Sequence, residues 1–423
     1  MSTEHNFLLI EKSILGTMMK ENYLIQESQL NIDHFTVHYH KNIFMSMQNL
    51  QANNVPADAL TIIASQNPEL FGGASYVMEM SSFYAADKFD AYTKLLLEHW
   101  REGQKRQILR QAQEEDWSIE IVQKSLDGLD IQASKVDTSI KPLLQKQLER
   151  PFQQLVVEQG VPTGLNDLDK LLGGFRKNEL IILAARPSVG KTDTMNHFAL
   201  AAGQKGYLPI IFSLEMSEAL LVDRLIANMG SYNRLKMRDP YQYLSEEQKT
   251  KWMSVIGELD KCRIQIDDRS GLTVGQIRAT ARKVINENPG YEPIIFIDYL
   301  QKIAPDTANK HTTRTQEIGA ISGGLKDMAK DFNCPVICLS QLSRGVESRN
   351  DKRPVNSDLR DSGEIEQDAD VIAFLYRDEY YDKESESKGL LEIIISKQRN
   401  GPTGTAVVAY KRETGRLLNV DWS

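Results

Sequence analysis

The stretch "AARPSVGKTDT", residues 184 to 194, closes an apolar run with Gly190, Lys191 and Thr192, a spacing that suits the gripping of phosphate. A loop of this kind turns backbone N–H groups toward phosphate oxygens at the start of a helix. Lysine then reaches the β and γ phosphates, and a hydroxyl meets Mg2+. The usual pattern opens with glycine, and here Ala185 takes that place; the position needs a small residue more than glycine itself. Ala185, Arg186, Pro187, Ser188, Val189, Gly190, Lys191 and Thr192 are therefore the candidate nucleotide-binding residues, with Thr192 also a candidate metal ligand.

Hydrolysis requires more than a grip. Asp298 follows four apolar residues in "PIIFID", where a carboxylate at a strand end would hold the Mg2+ shell, making it the second candidate metal ligand. Glu215 stands just past "PIIFSL", at the edge where open α/β sheets bind ligands, and would orient or deprotonate water. The plainer reading of Glu215 is a helix N-terminal acid favoured by the macrodipole. Gln341 ends the run "VICLSQ" and is placed to sense a γ-phosphate.

Two groups of cations follow. Arg344, Arg349, Lys352, Arg353 and Arg360 make 344 to 360 the locally basic part of the chain, either a solvated loop or a nucleic-acid contact. Lys397 and Arg399 alternate on a strand beside a turn built on Asn400, Gly401 and Pro402, so they would share one face and project from the sheet edge, serving either solubility or a neighbour's phosphate.

These residues need elements to hold them. Apolar β-rich runs ("LIILAA", "PIIFSL", "IQID", "PIIFIDYL", "PVICLS", "VIAFLYR", "LEIIISKQ") alternate with helical patterns, as expected of an α/β domain with a mainly parallel sheet over 158–423. The first strand is expected to end at Ala184. Residues 1–134 read as an all-helical domain, with short amphipathic helices followed by two longer ones forming a hairpin around Glu115 and Asp116. A linker over 135–157 carries a helix whose apolar face, Leu143, Leu144 and Leu148, needs a partner.

At 423 residues the chain is expected to form two or three domains, and 41% hydrophobic residues suffice for soluble cores. A formal charge of −8 excludes a protein that is basic all over, so any nucleic-acid contact must be local. No run approaches the ~20 apolar residues of a membrane span, and no signal peptide opens the chain, so a cytoplasmic protein without a membrane partner is expected. Cys262, Cys334 and Cys338 have no metal-finger spacing and read as core residues.

Taken together and in order, "GVPTGLNDLDKLLGGF", "ELIILAARPSVGKT", "FSLEMS", "IIFIDYLQKI", "LSRGVESRNDKRPVNSDLRDSGEIEQDAD" and "SKQRNGPTG" resemble the DnaB-type replicative DNA helicases, across essentially all of 158–423. The N-terminal part resembles the family's helical collar more weakly. The resemblance implies a RecA-like ATPase domain, and a homohexamer that hydrolyses ATP with Mg2+, moves 5′ to 3′ on single-stranded DNA and unwinds forked duplex DNA. Matching motifs imply that Lys191 and Thr192 bind phosphate and Mg2+, Glu215 is the catalytic base, Asp298 holds the metal and Gln341 is the sensor. Lys397 and Arg399 then match residues given in trans to a neighbour's γ-phosphate. Arg360, Asp361 and Gly363, in "LRDSG", match a DNA-contacting loop, with Arg344 and Arg349 beside it; Asp361 stands where the family usually has Glu. A helicase loader and a primase are the implied partners, and the length of the chain points to a phage or prophage version in a bacterial cytoplasm. The alternatives are a RecA-like strand-exchange ATPase and a loading factor that binds nucleotide without turning it over.

Overall fold

The computed structural model of the protein describes residues 3–28, 30–53, 55–117, 121–122, 144, 160–305, 313–359 and 362–420. They fall into two compact units, Met1–Val157 and Glu158–Ser423.

In the first unit, apolar residues three and four apart become the inner faces of helices. Ile14, Leu15 and Met18 of the helix Thr3–Lys20 are buried with Ile43, Phe44 and Met47 of the helix His38–Ala52, and with Phe71, Val77 and Met80. Gly16 permits the closest approach, since a Cβ there would lie 2.3 Å from the carbonyl oxygen of Met80. Glu11 is buried because its charge is answered: it meets His40 Nδ1 at 2.5 Å and accepts from the backbone and hydroxyl of Thr36. Burial pushes the Glu11 carboxyl up, but the hydrogen bonds from His40 and Thr36 prevail and hold it below its usual range.

The long helix Phe89–Glu114 ends where the sequence predicts a turn, at Glu115 and Asp116, with Asp116 at φ +50°. Of the expected second helix, only Ile121 and Val122 are described, both helical. Of the expected linker face, Leu144 is helical and exposed, while Leu143 and Leu148 lie outside the described residues.

The second unit is built on a nine-stranded sheet. Its strands are β1 (Leu180–Ala185), β2 (Leu208–Ser213), β3 (Gln265–Asp267), β4 (Pro293–Asp298), β5 (Val336–Gln341), β6 (Val371–Tyr376), β7 (Leu390–Gln398), β8 (Gly404–Lys411) and β9 (Arg416–Asn419), in the order β3-β2-β4-β5-β1-β6-β7-β8-β9. From β3 to β6 the strands are parallel, and β7 to β9 extend the sheet antiparallel. The sequence texture has this cause. Strands β1, β2 and β6 are buried throughout, with Leu180, Ile182 and Ala184 in one apolar layer and Ile181, Leu183 and Ala185 in the other. Strand β7, by contrast, alternates buried and half-buried residues, as an outer antiparallel strand does.

One boundary is corrected. β1 runs one residue beyond the expected Ala184, because Ala185 still pairs with Gln341 of β5 and its carbonyl accepts from the Leu342 N–H. Cys338, within β5, and Cys334, just before it, are core residues on one face of the sheet, and Cys262 packs with Leu200 and Leu225 in a smaller cluster.

Candidate nucleotide site

The first residues of the loop after β1 are held from below. Arg186, 9% exposed, donates to the carbonyl of Leu342 at 2.9 Å and pairs with Glu347 at 2.7 Å. Val189 is buried and anchors the middle of the loop, while Pro187 and Ser188 face solvent. The turn itself needs left-handed backbone, with Ser188 at φ +65° and Gly190 at φ +126°, the latter open only to glycine. The helix Lys191–Gln204 begins there, so its first N–H groups open toward the loop, as anion binding requires.

Around this helix start the strands deliver their ends. Thr192 Oγ1 donates to Asp298 Oδ2 at 2.9 Å across 106 residues, and Asp298 is 1% exposed with Oδ1 left without a protein partner. Burial pushes the Asp298 carboxyl above its ordinary value, against the pull of Lys191 and the Thr192 hydrogen bond. Burial likewise lowers the Lys191 ammonium, against the attraction of Asp298 and Glu215. Lys191 Nζ lies 4.7 Å from the centre of the Tyr299 ring. Gln301 fixes the end of β5, donating to Ser340 Oγ at 3.0 Å and accepting from the Gln341 N–H at 3.3 Å.

A cleft of about 950 Å³ opens over these groups, lined by Ser188, Gly190, Lys191, Thr192, Glu215 and Gln341. Glu215 lies in the turn between β2 and the helix Glu218–Gly230, exposed to the cleft and outside the helix. Two hard oxygen donors, one of them unpaired, stand beside a lysine and the start of a helix; the arrangement fits a triphosphate with a divalent cation.

Other candidates lie elsewhere. Lys397 Nζ donates to the carbonyls of Ala369, at 2.7 Å, and Glu366, while Arg399 holds Asp370 and the carbonyl of Gln367. Asp370 in turn accepts from the N–H of Leu180, the first residue of β1. The two cations therefore sit at the amino end of β1, roughly 17 Å of strand away from the phosphate loop at its carboxyl end. Arg399 lies one residue past β7, and the ladder opposite is irregular between Ile372 and Ala373; the two cations are gathered by segment 366–370 and not by simple alternation along the strand. Arg349 is locked within its own loop by Asp358 at 2.7 Å, and Arg344 is exposed. Gly363 is exposed, with no atom within 4 Å of where a Cβ would stand, whereas Arg360 and Asp361 lie outside the described residues.

Comparison with known proteins bears on the whole chain. Residues 160–419 match the DnaB-like helicase C terminal domain, and residues 3–98 match the DnaB-like helicase N terminal domain. The chain belongs to the DnaB-like helicase family. It is 37% identical to the replicative DNA helicase DnaC of Bacillus subtilis and 36% identical to the replicative DNA helicase DnaB of Geobacillus stearothermophilus, over 97% of this chain and 94% of each relative. A solved DnaB-like replicative helicase, described with its interactions with primase, aligns with a TM-score of 0.64 at 35% identity over 98% of this chain and 100% of its own. A solved ATPase domain aligns at 42% identity and the same TM-score of 0.64, over 67% of this chain and 100% of its own.

In this DnaB-like helicase several residues in or behind the cleft carry no local motif. Arg224, on the helix Glu218–Gly230, lines the cleft and lowers Asp298 by its charge. Arg377, at the end of β6 and 4% exposed, donates to the loop carbonyls of Ser188 and Val189 at 3.5 and 3.4 Å, and its guanidinium lies 5.1 Å from the centre of the Tyr410 ring. Asp193, Arg234 and Tyr410 form a third group, taken up below. The only sequence signal for Asp193 is its place directly after Thr192.

Proposed function

We propose that this chain is a replicative DNA helicase: a homohexamer that hydrolyses ATP to move 5′ to 3′ along single-stranded DNA and open forked duplex DNA. The observation that carries the reading is the meeting of Lys191, Thr192, Asp298, Glu215 and Gln341 at the carboxyl edge of one parallel sheet, in a chain of this family. Lys191 and the loop N–H groups bind the β and γ phosphates. Thr192 Oγ1 and Asp298 fit Mg2+, which when bound supplies charge neutralisation at those phosphates. Glu215 orients and deprotonates the attacking water, and Gln341 reports the γ-phosphate to the loop behind β5.

Lys397 and Arg399 act on the nucleotide of a neighbouring subunit. Their support is positional: a single chain holds them at the far end of β1 from its own phosphate loop. DNA is held by backbone contacts around 360–363 with Arg344 beside them, sequence-blind as translocation requires. Primase and a loader are the proposed protein partners, in a bacterial cytoplasm; among the described residues no helix is long and apolar enough to cross a membrane. Family membership favours neither strand exchange nor a non-catalytic loading role. Full-length protein with ATP and Mg2+ is expected to unwind a fork bearing a free 5′ tail, and Glu215→Ala to bind ATP without turning it over. A wild-type protein that forms rings on DNA yet neither hydrolyses ATP nor unwinds would refute the proposal.

A further inference from the structure

Asp193 is an unusual residue to find one position past the phosphate-binding Thr192. It is 6% exposed, so its carboxylate faces protein and not water. Both oxygens are taken: Oδ1 accepts from Arg234 Nη1 at 2.8 Å, and Oδ2 accepts from Arg234 Nη2 at 3.1 Å and from the Tyr410 hydroxyl. This bidentate pair fixes both partners in direction as well as in place. Burial, with the Asp193 charge next, pushes the Tyr410 hydroxyl up to about 12, in keeping with its place as a hydrogen-bond donor to a buried carboxylate.

The same guanidinium reaches further. Arg234 Nη2 also donates to the carbonyl of Arg412, the Arg234 backbone N–H donates to the carbonyl of Glu413 at 2.9 Å, and Asn228 donates to the carbonyl of Gly415 at 2.9 Å. Three separate segments thereby become one wall of the cleft: the phosphate-loop helix, the loop after Gly230, and the turn between β8 and β9. Gly415, at φ +77°, lets that turn close on Asp193, because a Cβ there would lie 3.1 Å from Oδ1. Tyr410 is held against the phosphate loop itself, where a Cβ on Gly190 would stand 3.4 Å from its ring.

We propose that Asp193 and Arg234 are positioning residues for the nucleotide: Asp193 fixes the Tyr410 ring and the β8–β9 turn against the phosphate loop, and Arg234 cancels a carboxylate that would otherwise repel the phosphates. The inference rests on the ATP-site reading above. Its electrostatic half has an uncommon consequence. Removing Arg234 alone leaves a buried anion one residue from the phosphate grip, whereas removing the Asp193 charge as well removes the repulsion. The two substitutions should therefore not multiply; the second should repair the first.

The test uses full-length protein, a fluorescent ATP analogue with Mg2+, and steady-state hydrolysis. Wild type must first bind the analogue; if it does not, the nucleotide reading itself fails and the inference goes with it. Given binding, Arg234→Ala is expected to weaken affinity on the order of 10- to 100-fold, the loss appearing in KM far more than in kcat. Asp193→Asn should weaken it only a few-fold, and the double variant should bind more tightly than Arg234→Ala alone. Thermal midpoints of all three report folding, and if Arg234→Ala is unstable Arg234→Gln, which also removes the charge beside Asp193, takes its place alone and in the double variant. Multiplicative losses in the double variant, or a loss confined to thermal stability with unchanged affinity, would overturn the proposal.

Discussion

Arg186 in the phosphate loop is ion-paired with Glu347 at 2.7 Å, which ties the nucleotide grip to the loop that follows β5. That loop also carries the Arg349–Asp358 pair, and it closes back on the sheet through the bridge between Leu342 and Leu359, immediately before the proposed DNA segment. A charged, partly buried contact thus links the phosphate loop to the segment ahead of 360–363. Glu347→Gln keeps the shape and removes the charge. We expect the ATPase rate without DNA to be retained and its stimulation by single-stranded DNA to fall about 3- to 10-fold, as loss of roughly 1 kcal/mol of coupling would give. Equal stimulation in variant and wild type would dismiss the contact as a local staple.

The separation of Lys397 and Arg399 from their own phosphate loop leads to a mixing experiment. Lys191→Ala subunits lack a grip but keep the cations; Arg399→Ala subunits keep the grip but lack one cation. Each alone is expected to hydrolyse ATP at less than about 1% of the wild-type rate. Co-assembled in equal amounts, they should recover a measurable fraction, because some interfaces then join an intact grip to an intact Arg399. No recovery in verified mixed hexamers would show that both groups serve the same subunit.

Much of the ATPase fold was readable because its signals are local. β1, β2, β4, β5 and β6 are continuous apolar runs, as strands buried on both faces must be, and their chemistry-bearing residues follow directly at the carboxyl ends. The contacts that complete the cleft were not readable. Asp193 meets Tyr410 across 217 residues and Arg234 across 41, and neither partner belongs to a motif. The position of Lys397 and Arg399 depends on β7 running antiparallel to β6, which returns 397–399 to the amino end of β1; spacing along the chain holds no trace of that.

His197, on the phosphate-loop helix, gives a pH signature. Burial lowers its pKa from 6.5 to about 4, with the Gly164 carbonyl acting in the opposite direction. The unfolded chain therefore binds a proton between those values that the native state refuses, and stability must fall as pH is lowered from about 6.5 toward 4. Above 6.5 the effect is absent, and below about 4 it is complete. Between pH 7 and pH 5 wild type should lose about 1–2 kcal/mol more than His197→Leu, read as the difference in denaturant midpoints at the two pH values. Parallel pH profiles would show that His197 is protonated in the native state at pH 5.

Gly190 joins backbone conformation to function in a single residue. Its φ of +126° lies outside the left-handed well that non-glycine residues visit, although an added Cβ would find room, in ordinary contact with the Tyr410 ring at 3.4 Å. Gly190→Ala must therefore either hold a strained backbone, at about 1–3 kcal/mol, or let the loop relax. Relaxation is the easier course, since Pro187 and Ser188 are exposed and the middle of the turn is held only by buried Val189 and by the long contacts from Arg377 to the carbonyls of Ser188 and Val189. It would turn the N–H groups of Gly190 and Lys191 away from the phosphates while the sheet beneath stays packed. The variant is expected to keep its secondary structure, to lose only a few degrees of thermal midpoint, and to lose ATP binding at least 100-fold, as titration of a fluorescent ATP analogue would report. Native affinity in a folded Gly190→Ala protein would mean that the phosphates are held by side chains alone and that the loop's backbone geometry is incidental.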